Sequence, residues 1–122
     1  MAGTYQDLRV WQLAMEMVFQ VYRCTEGFPK QEIYGLTSQM RRSAVSVPSN
    51  IAEGKGRFSR KELVHYLFQA RGSLLELETQ ILIARKLEYL DDFESKRLIA
   101  LTSEVGRLLN GLVNSLQSQL KA

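Results

Sequence analysis

Apolar residues recur at helical spacing along almost the whole chain, and no stretch alternates between apolar and polar residues as a strand would. The pattern predicts four helices, over residues 8 to 25, 32 to 54, 59 to 87 and 91 to 118. The third has the clearest signal, because its apolar positions repeat with 4-3 spacing, as in coiled coils. Four helices joined by short loops predict an all-α, up-and-down antiparallel four-helix bundle.

Cap signals mark where these helices begin and end. Two residue pairs are typical of capping boxes, which open a helix: Ser59 with Glu62, and Asp91 with Glu94. Gly54 and Gly56 are predicted to end the second helix in the left-handed conformation that glycine accepts. The apolar stripe of the fourth helix is predicted at Leu98, Leu101, Val105, Leu108, Leu112 and Leu116.

The length of the chain fits one domain over residues 1 to 122. The single Cys24 can form no internal disulfide, and no zinc-binding spacing of cysteines and histidines occurs, which favours a reducing compartment. The first residues lack the basic and apolar regions of a signal peptide. No apolar run is long enough to span a membrane. We therefore expect a cytoplasmic protein with no membrane association.

The first and third helices carry apolar faces that are wider than one core requires. On the third helix, a second apolar set lies beside the 4-3 stripe: Val64, Phe68, Leu75 and Leu82. Surplus apolar helix surface usually meets another subunit, so we expect a homo-oligomer. A bulkier core within a single chain is the alternative.

The net charge of +3 is unevenly distributed. Residues 41 to 71 hold seven basic residues against two acidic ones, a net charge of +5. The rest of the chain holds nine basic and eleven acidic residues, a net charge of −2. The seven basic residues are Arg41, Arg42, Lys55, Arg57, Arg60, Lys61 and Arg71. Clustered positive charge of this kind attracts polyanions such as RNA and DNA.

The glycine-containing segment between the second and third helices does not fit a nucleotide-binding loop. A Walker loop needs GxxxxGK and then Ser or Thr, between a strand and a helix. Here Ser49 stands at the first glycine, Gly56 stands at the hydroxyl position, and a helix precedes the loop. One phosphate-friendly feature remains, because the free N–H groups that open the third helix lie beside Arg57 and Arg60.

Catalytic and metal-binding patterns are missing from the sequence. Glu62 and His65 match the Glu-x-x-His of di-iron bundles, but such a site needs two of these motifs and the chain has one histidine. Cys24 and His65 are the only nucleophile–base pair of that kind, and no orienting motif surrounds either. We expect a protein that is not an enzyme and that needs no cofactor.

A polar face runs along the second helix at 3-4 spacing: Gln39, Arg42, Ser46, Asn50 and Glu53. We interpret this face as structural. Arg41 or Arg42 is expected to pair with a glutamate of the third helix. Asn50 and Glu53 are expected to bond the loop backbone. Pro48 is compatible with this role, since a proline removes one helical hydrogen bond and kinks the helix.

The remaining cations lie where the second helix passes into the third, and we call residues 55 to 61 the basic joint. Its charged side chains are Lys55, Arg57, Arg60 and Lys61. Few acidic residues lie near them in the sequence. The basic joint is either a solvated loop or a surface that contacts phosphates, and charge alone does not decide between the two. In a ring of identical subunits the joint would repeat, so several weak contacts would act together.

Four motifs in the first three helices are typical of one family. They are Tyr5-x-Asp7-Leu8-x-Val10-Trp11-Gln12, Phe28-Pro29-x-x-Glu32-x-Tyr34-Gly35-Leu36-x-x-Gln39-x-Arg41-Arg42, Ser46-Val47-Pro48-x-Asn50-Ile51-Ala52-Glu53-Gly54, and Ala70-Arg71-Gly72-Ser73-Leu74-x-Glu76-Leu77-Glu78. Together they resemble the 23S rRNA intervening-sequence proteins, over roughly residues 5 to 90. That bacterial family is similar to the accessory variability proteins of diversity-generating retroelements.

The resemblance implies a four-helix bundle that assembles as a homopentamer, without known enzymatic activity. It also implies nucleic acid and a reverse transcriptase as partners. Our leading hypothesis is a cytoplasmic homo-oligomer that binds RNA or DNA through phosphate contacts. The residues expected to do so are Lys55, Arg57, Arg60 and Lys61, followed by Arg41, Arg42 and Arg71. Pro48, Asn50, Glu53 and Gly54 are expected to be structural. The alternative is a protein-interaction scaffold or accessory subunit that binds no nucleic acid.

Overall fold

The computed structural model describes residues 3 to 121, with side chains to residue 120, and contains four helices. They are α1 (Arg9–Thr25), α2 (Leu36–Lys55), α3 (Arg60–Lys86) and α4 (Asp92–Lys121). No strand occurs among these described residues, which confirms the all-α prediction. The predicted ends of the domain, at residues 1 and 122, lie outside this range.

Each helix packs against the helices that precede and follow it in the chain, and α4 returns to pack against α1. Over residues 3 to 121, neither diagonal pair, α1 with α3 or α2 with α4, makes a comparable contact. Because short loops join successive neighbours, the helices alternate in direction, as in an up-and-down bundle. One end of the bundle, which we call the joint end, holds the passage from α2 into α3. The opposite end holds the passages from α1 into α2 and from α3 into α4.

The core forms on the predicted stripes of α2 and α3. Side chains with no exposed surface include Met40, Val47 and Ile51 on α2, and Leu67, Leu77 and Ile81 on α3. Complete burial of a large apolar side chain stabilises the fold by about 1.5–3 kcal/mol. The 4-3 stripe of α3 is therefore what holds this helix against its two neighbours.

The core face of α4 differs from the predicted one in its C-terminal half. Leu108 and Leu112 are only half-buried, whereas Leu109 and Val113 are buried. Thr102 also lies on the core face, and as a polar residue it is missed by a pattern of apolar positions. Its hydroxyl contacts Glu78 Oε2 at 2.8 Å and the Ile99 carbonyl at 3.0 Å, so burial leaves it satisfied.

The second apolar set of α3 divides in two. Val64 is buried in the core, but Phe68, Leu75 and Leu82 are exposed. These three residues are spaced seven apart, so they line one side of the helix. We call them the outer row. The predicted surplus of apolar surface on α3 is therefore present outside the core of the chain.

The second helix begins at Leu36, four residues later than predicted, because a short 3-10 turn at Lys30–Glu32 precedes it. The Glu32 carboxylate accepts a hydrogen bond from the Leu36 N–H at 3.1 Å and one from the Tyr89 hydroxyl at 2.9 Å. The hydrogen bond to Glu32 raises the pKa of Tyr89 above its ordinary value. The Glu32 carboxylate thus bonds the first N–H of α2 and connects this helix start to the turn before α4.

Two helix starts follow the capping predictions. At α4, the Glu94 N–H donates to Asp91 Oδ1 at 2.7 Å, and the Asp91 N–H donates to Glu94 Oε1 at 3.3 Å, which completes the predicted box. At α3, Ser59 Oγ accepts from the Glu62 N–H at 3.1 Å. The Glu62 carboxylate approaches the Ser59 hydroxyl at 3.4 Å rather than its N–H, so only half of that box forms.

Candidate nucleic-acid interface

The basic joint rests on a close approach of α2 to α3 at Gly54. A methyl group on Gly54 would lie 2.7 Å from Tyr66 Cβ and 3.1 Å from Leu63 Cδ1. Gly54 lies inside α2, and Gly56 at the helix end has φ −80° and ψ −5°, which is right-handed. The prediction that these glycines adopt the left-handed conformation is therefore wrong. Gly54 is needed because it leaves room for α3.

Arg57 is tied to the end of both helices. Its guanidinium donates to Glu53 Oε1 at 2.7 Å and to the Tyr66 hydroxyl at 2.6 Å, and it lies 5.0 Å from the centre of the Tyr66 ring. Tyr66, followed by Glu53, raises the pKa of Arg57. Glu53 thus holds Arg57 and not the loop backbone, contrary to the prediction. Part of the positive charge of the joint is neutralised by this pair.

The other three cations of the basic joint are Lys55, Arg60 and Lys61. All three are exposed. Among the side chains that the structure describes, none of them forms an ion pair or a hydrogen bond. Lys55 is the last residue of α2, and Arg60 and Lys61 are the first two residues of α3, whose first N–H groups have no partner within the helix. Positive side chains and open N–H groups at one place suit a phosphate.

Phe58 stands in the middle of the basic joint with a relative exposure of 107%. The sequence pattern did not single out this residue, because a lone aromatic residue in a loop adds nothing to helical periodicity. Its neighbours in the sequence could have identified it as a candidate binding residue, because it lies between Arg57 and Arg60 in a segment that contains Gly56 and Ser59. Aromatic residues interleaved with basic ones are typical of surfaces that bind single-stranded nucleic acid.

Arg41 points toward α1. Its Nε donates to Thr25 Oγ1 at 2.9 Å, and its guanidinium lies 4.6 Å from the centre of the Tyr22 ring. The prediction that Arg41 or Arg42 pairs with a glutamate of the third helix is wrong for Arg41. Its partners were not visible in the sequence, because they lie on a helix 16 or more residues away and are not acidic.

Arg42 lies at a polar groove of about 490 Å³ between α2 and α3. The other lining residues are Gln39, Ser43, Ser46, Ser73, Glu76 and Gln80. Arg42 forms no ion pair with any side chain that the structure describes, so the predicted pairing fails here too. The groove offers donors and acceptors of both kinds, but it lies roughly 20 Å from the joint along α2.

Asn50 and Pro48 are the other two residues of α2 that were expected to be structural. Asn50 Nδ2 donates to the Ser46 carbonyl at 2.9 Å and to Ser46 Oγ at 3.0 Å, and Ser46 Oγ also bonds Ser73 Oγ at 2.8 Å. Asn50 therefore supports a link between α2 and α3. The prediction that it bonds the loop backbone is wrong. Pro48 is buried.

Arg71 faces α4 instead of the joint. Its Nη1 donates to Asn110 Oδ1 at 3.2 Å, and its guanidinium lies 5.2 Å from the centre of the Phe68 ring. Of the seven predicted cations, the fold thus brings together only Lys55, Arg57, Arg60 and Lys61. Arg41 and Arg42 lie in the half of α2 that is far from the joint, and Arg71 lies near the middle of α3.

The residues considered for catalysis are far apart. Cys24 is buried at the opposite end of the bundle, where burial raises the pKa of its thiol. His65 is exposed near the joint end and contacts Gln69. Over the described part of the chain, no cluster of three or more His, Cys, Asp or Glu side chains could hold a metal ion. A search of the described helices for one both long and apolar enough to cross a membrane finds none.

These features define a small all-α protein of four helices, with an exposed basic joint at one end of the bundle. A family model described as "23S rRNA-intervening sequence protein" matches residues 6 to 111. The chain therefore belongs to the 23S rRNA-intervening sequence protein family.

A solved structure is also similar to this chain. It is described as a protein of unknown function from the S23 ribosomal protein family of Bacteroides thetaiotaomicron, and it shares 20% sequence identity with a TM-score of 0.77. The match covers 85% of this chain and 97% of that one. At this identity the likeness extends to the fold alone. The search of curated proteins finds no match.

Proposed function

We propose that this protein is a non-enzymatic, cytoplasmic homo-oligomer that binds RNA or DNA through the phosphate backbone at the basic joint. One observation carries the proposal. Lys55, Arg60 and Lys61 are exposed, lie within one seven-residue segment, and have no ion-pair partner among the described residues. Phosphate contacts position a protein on nucleic acid without reading its sequence, so we expect little sequence preference.

Assembly of identical subunits is part of the proposal. The outer row of α3 supports it, because exposed apolar residues in a row mark surfaces that meet another protein. The family resemblance sets the expected number of subunits at five. Five copies of one weak phosphate-binding surface on the same particle would bind a long nucleic acid far more tightly than one copy.

The experiment that tests the site is a comparison of the triple variant Lys55→Gln/Arg60→Gln/Lys61→Gln with the unmodified protein. Arg57 is kept because it ties α2 to α3. Binding of a short labelled oligonucleotide is followed by fluorescence anisotropy over a range of salt concentrations. We expect weaker binding, and a slope of log K against log salt that falls by about 0.7–0.9 for each lost phosphate contact.

A matched control removes the same charge at the opposite end of the bundle. Arg23, Lys30 and Lys86 are exposed there, and we expect Arg23→Gln/Lys30→Gln/Lys86→Gln to retain most of the affinity. Equal losses in the two triple variants would mean that net charge alone attracts the ligand. Unchanged affinity in the joint variant would refute the assignment of the site.

A protein-interaction scaffold is the second candidate, and the outer row favours it. In that case the exposed apolar side chains would receive a different protein, such as the reverse transcriptase that the family resemblance implies. Recovery of a protein partner after nuclease treatment, with no binding of any oligonucleotide at low salt, would favour this alternative over nucleic-acid binding.

A further inference from the structure

Phe58 leaves its whole side chain in solvent at the centre of the basic joint. Its relative exposure of 107% exceeds that of the next most exposed large apolar residue, Tyr34, at 94%. No aromatic ring and no arginine stacks on it among the described side chains. Large apolar side chains are normally buried, and an aromatic ring dominates the energetics of whatever surface it joins. A fully exposed ring without a contact is therefore available to a ligand.

The backbone on both sides of Phe58 is held in place. On one side, the Gly56 N–H donates to the Ala52 carbonyl at 3.2 Å, and the Arg57 N–H donates to the Gly54 carbonyl at 3.1 Å. On the other side, Ser59 caps α3. The exposed ring is thus carried by a short segment anchored to two helices. A group presented in this way loses little conformational freedom when it binds.

The surroundings of the ring suit a nucleotide better than an apolar protein surface. Lys55, Arg60 and Lys61 lie in the same short segment and are unpaired among the described side chains. The core of a protein–protein interface is depleted in lysine and builds on several apolar side chains together. Here one exposed aromatic ring shares a seven-residue segment with four basic residues. Stacking on a base together with contacts to the neighbouring phosphates uses both features at once.

We propose that Phe58 stacks on an unpaired nucleobase while Lys55, Arg60 and Lys61 contact the adjoining phosphates. The preferred ligand of the basic joint is then single-stranded or looped nucleic acid. In a duplex both faces of every internal base are covered by its neighbours, so away from the two ends the ring finds no open face. This inference rests on the proposed function and narrows its ligand class.

The test compares Phe58→Ala with the unmodified protein on two probes of equal backbone chemistry. One is a labelled oligothymidine of about 12 nucleotides, which spans a typical single-strand site. The other is a duplex of the same length and of mixed sequence. We expect Phe58→Ala to weaken binding to the single strand on the order of tenfold, in line with the loss of one stacked base. Binding to the duplex should stay the same. Repetition with oligouridine shows whether the joint prefers RNA or DNA.

Three further variants separate stacking from other roles of the side chain. Phe58→Leu keeps an apolar side chain without a ring and should behave like Phe58→Ala. Phe58→Trp keeps a ring and should retain the affinity, with tryptophan fluorescence quenched by the single strand. Tyr34→Ala removes the next most exposed ring, which lies at the opposite end, and should leave binding to both probes unchanged.

The outcomes distinguish this inference from the proposed function. If the triple variant Lys55→Gln/Arg60→Gln/Lys61→Gln loses affinity and Phe58→Ala does not, phosphate binding stands and stacking is refuted. Equal losses on single strand and duplex in Phe58→Ala would also refute stacking. A change in particle mass in Phe58→Ala, measured by light scattering, would make Phe58 a subunit contact and overturn the inference. If the unmodified protein binds neither probe at low salt, both proposals fail.

Discussion

Gly54 is buried in α2 where this helix passes closest to α3. Replacing it with alanine would place a methyl group 2.7 Å from Tyr66 Cβ. The expected steric cost of about 1–3 kcal/mol exceeds the gain of about 1 kcal/mol in helix propensity. We therefore expect Gly54→Ala to lower the free energy of unfolding, as measured by urea denaturation.

Gly72 offers the matched control for this prediction. It lies exposed in α3, and a methyl group there would have no neighbour within 4 Å. Gly72→Ala should raise the free energy of unfolding by roughly 1 kcal/mol, because only the helix-propensity gain applies. A stabilised Gly54→Ala variant would show that close packing of α2 on α3 does not limit position 54.

Individual side chains show where sequence reasoning is reliable and where it stops. The acidic and hydroxyl caps that open α3 and α4 were predictable, because both partners lie within three residues. The partners of Arg41 and Asn50 were not. Arg41 bonds Thr25 on another helix, and Asn50 turns back to Ser46. A sequence shows which side chains can form hydrogen bonds, but the packing of the helices determines which partner each of them contacts.

The turn that ends α3 holds Glu88 in a backbone conformation that residues other than glycine rarely adopt. Glu88 has φ 65°, the left-handed region that glycine occupies with least strain. The Glu88 N–H donates to the Arg85 carbonyl at 3.0 Å, and the Tyr89 N–H donates to the Ala84 carbonyl at 2.9 Å, which is the Schellman pattern. The turn is thus well bonded although it holds a side chain that disfavours it.

We expect Glu88→Gly to raise the free energy of unfolding by about 1 kcal/mol, because glycine adopts this conformation without strain. Glu88→Ala serves as the reference, since it also removes the charge but retains a Cβ. Thermal or urea denaturation of the two variants measures the difference. If both variants are equally stable, the left-handed conformation at position 88 carries no strain.

At the level of elements, periodicity predicted four helices and most of their buried faces. Periodicity failed to predict a buried polar residue and a helix start that depends on a side-chain hydrogen bond. Thr102 is a polar residue that is buried in α4 and bonded to Glu78 and Ile99, so an apolar pattern does not reveal it. Leu109 and Val113 are buried where Leu108 and Leu112 were expected. The start of α2 could be placed only within residues 31 to 37, because the Glu32 side chain of a preceding 3-10 turn bonds the Leu36 N–H in place of a standard N-cap side chain.

The fold separates basic residues that lie close together in the sequence and places them on different parts of the surface. Residues 41 to 71 carry a net charge of +5. The bundle turns Arg41 toward α1 and Arg71 toward α4, and it leaves the basic joint alone at one end. The density of charge along a chain therefore overestimates the surface that a single nucleic acid could contact.

The outer row of α3 provides the test of assembly. Leu75 and Leu82 are 56% and 59% exposed, so replacing both with serine should change the stability of one chain little. If the protein is the proposed pentamer and the row forms the subunit contact, Leu75→Ser/Leu82→Ser should shift the mass measured by light scattering from five times 14.0 kDa toward that of a single chain. Ile33→Ser/Phe93→Ser removes comparable apolar surface at the opposite end and should leave the mass unchanged. A pentamer that survives in the first variant would place the subunit contact elsewhere.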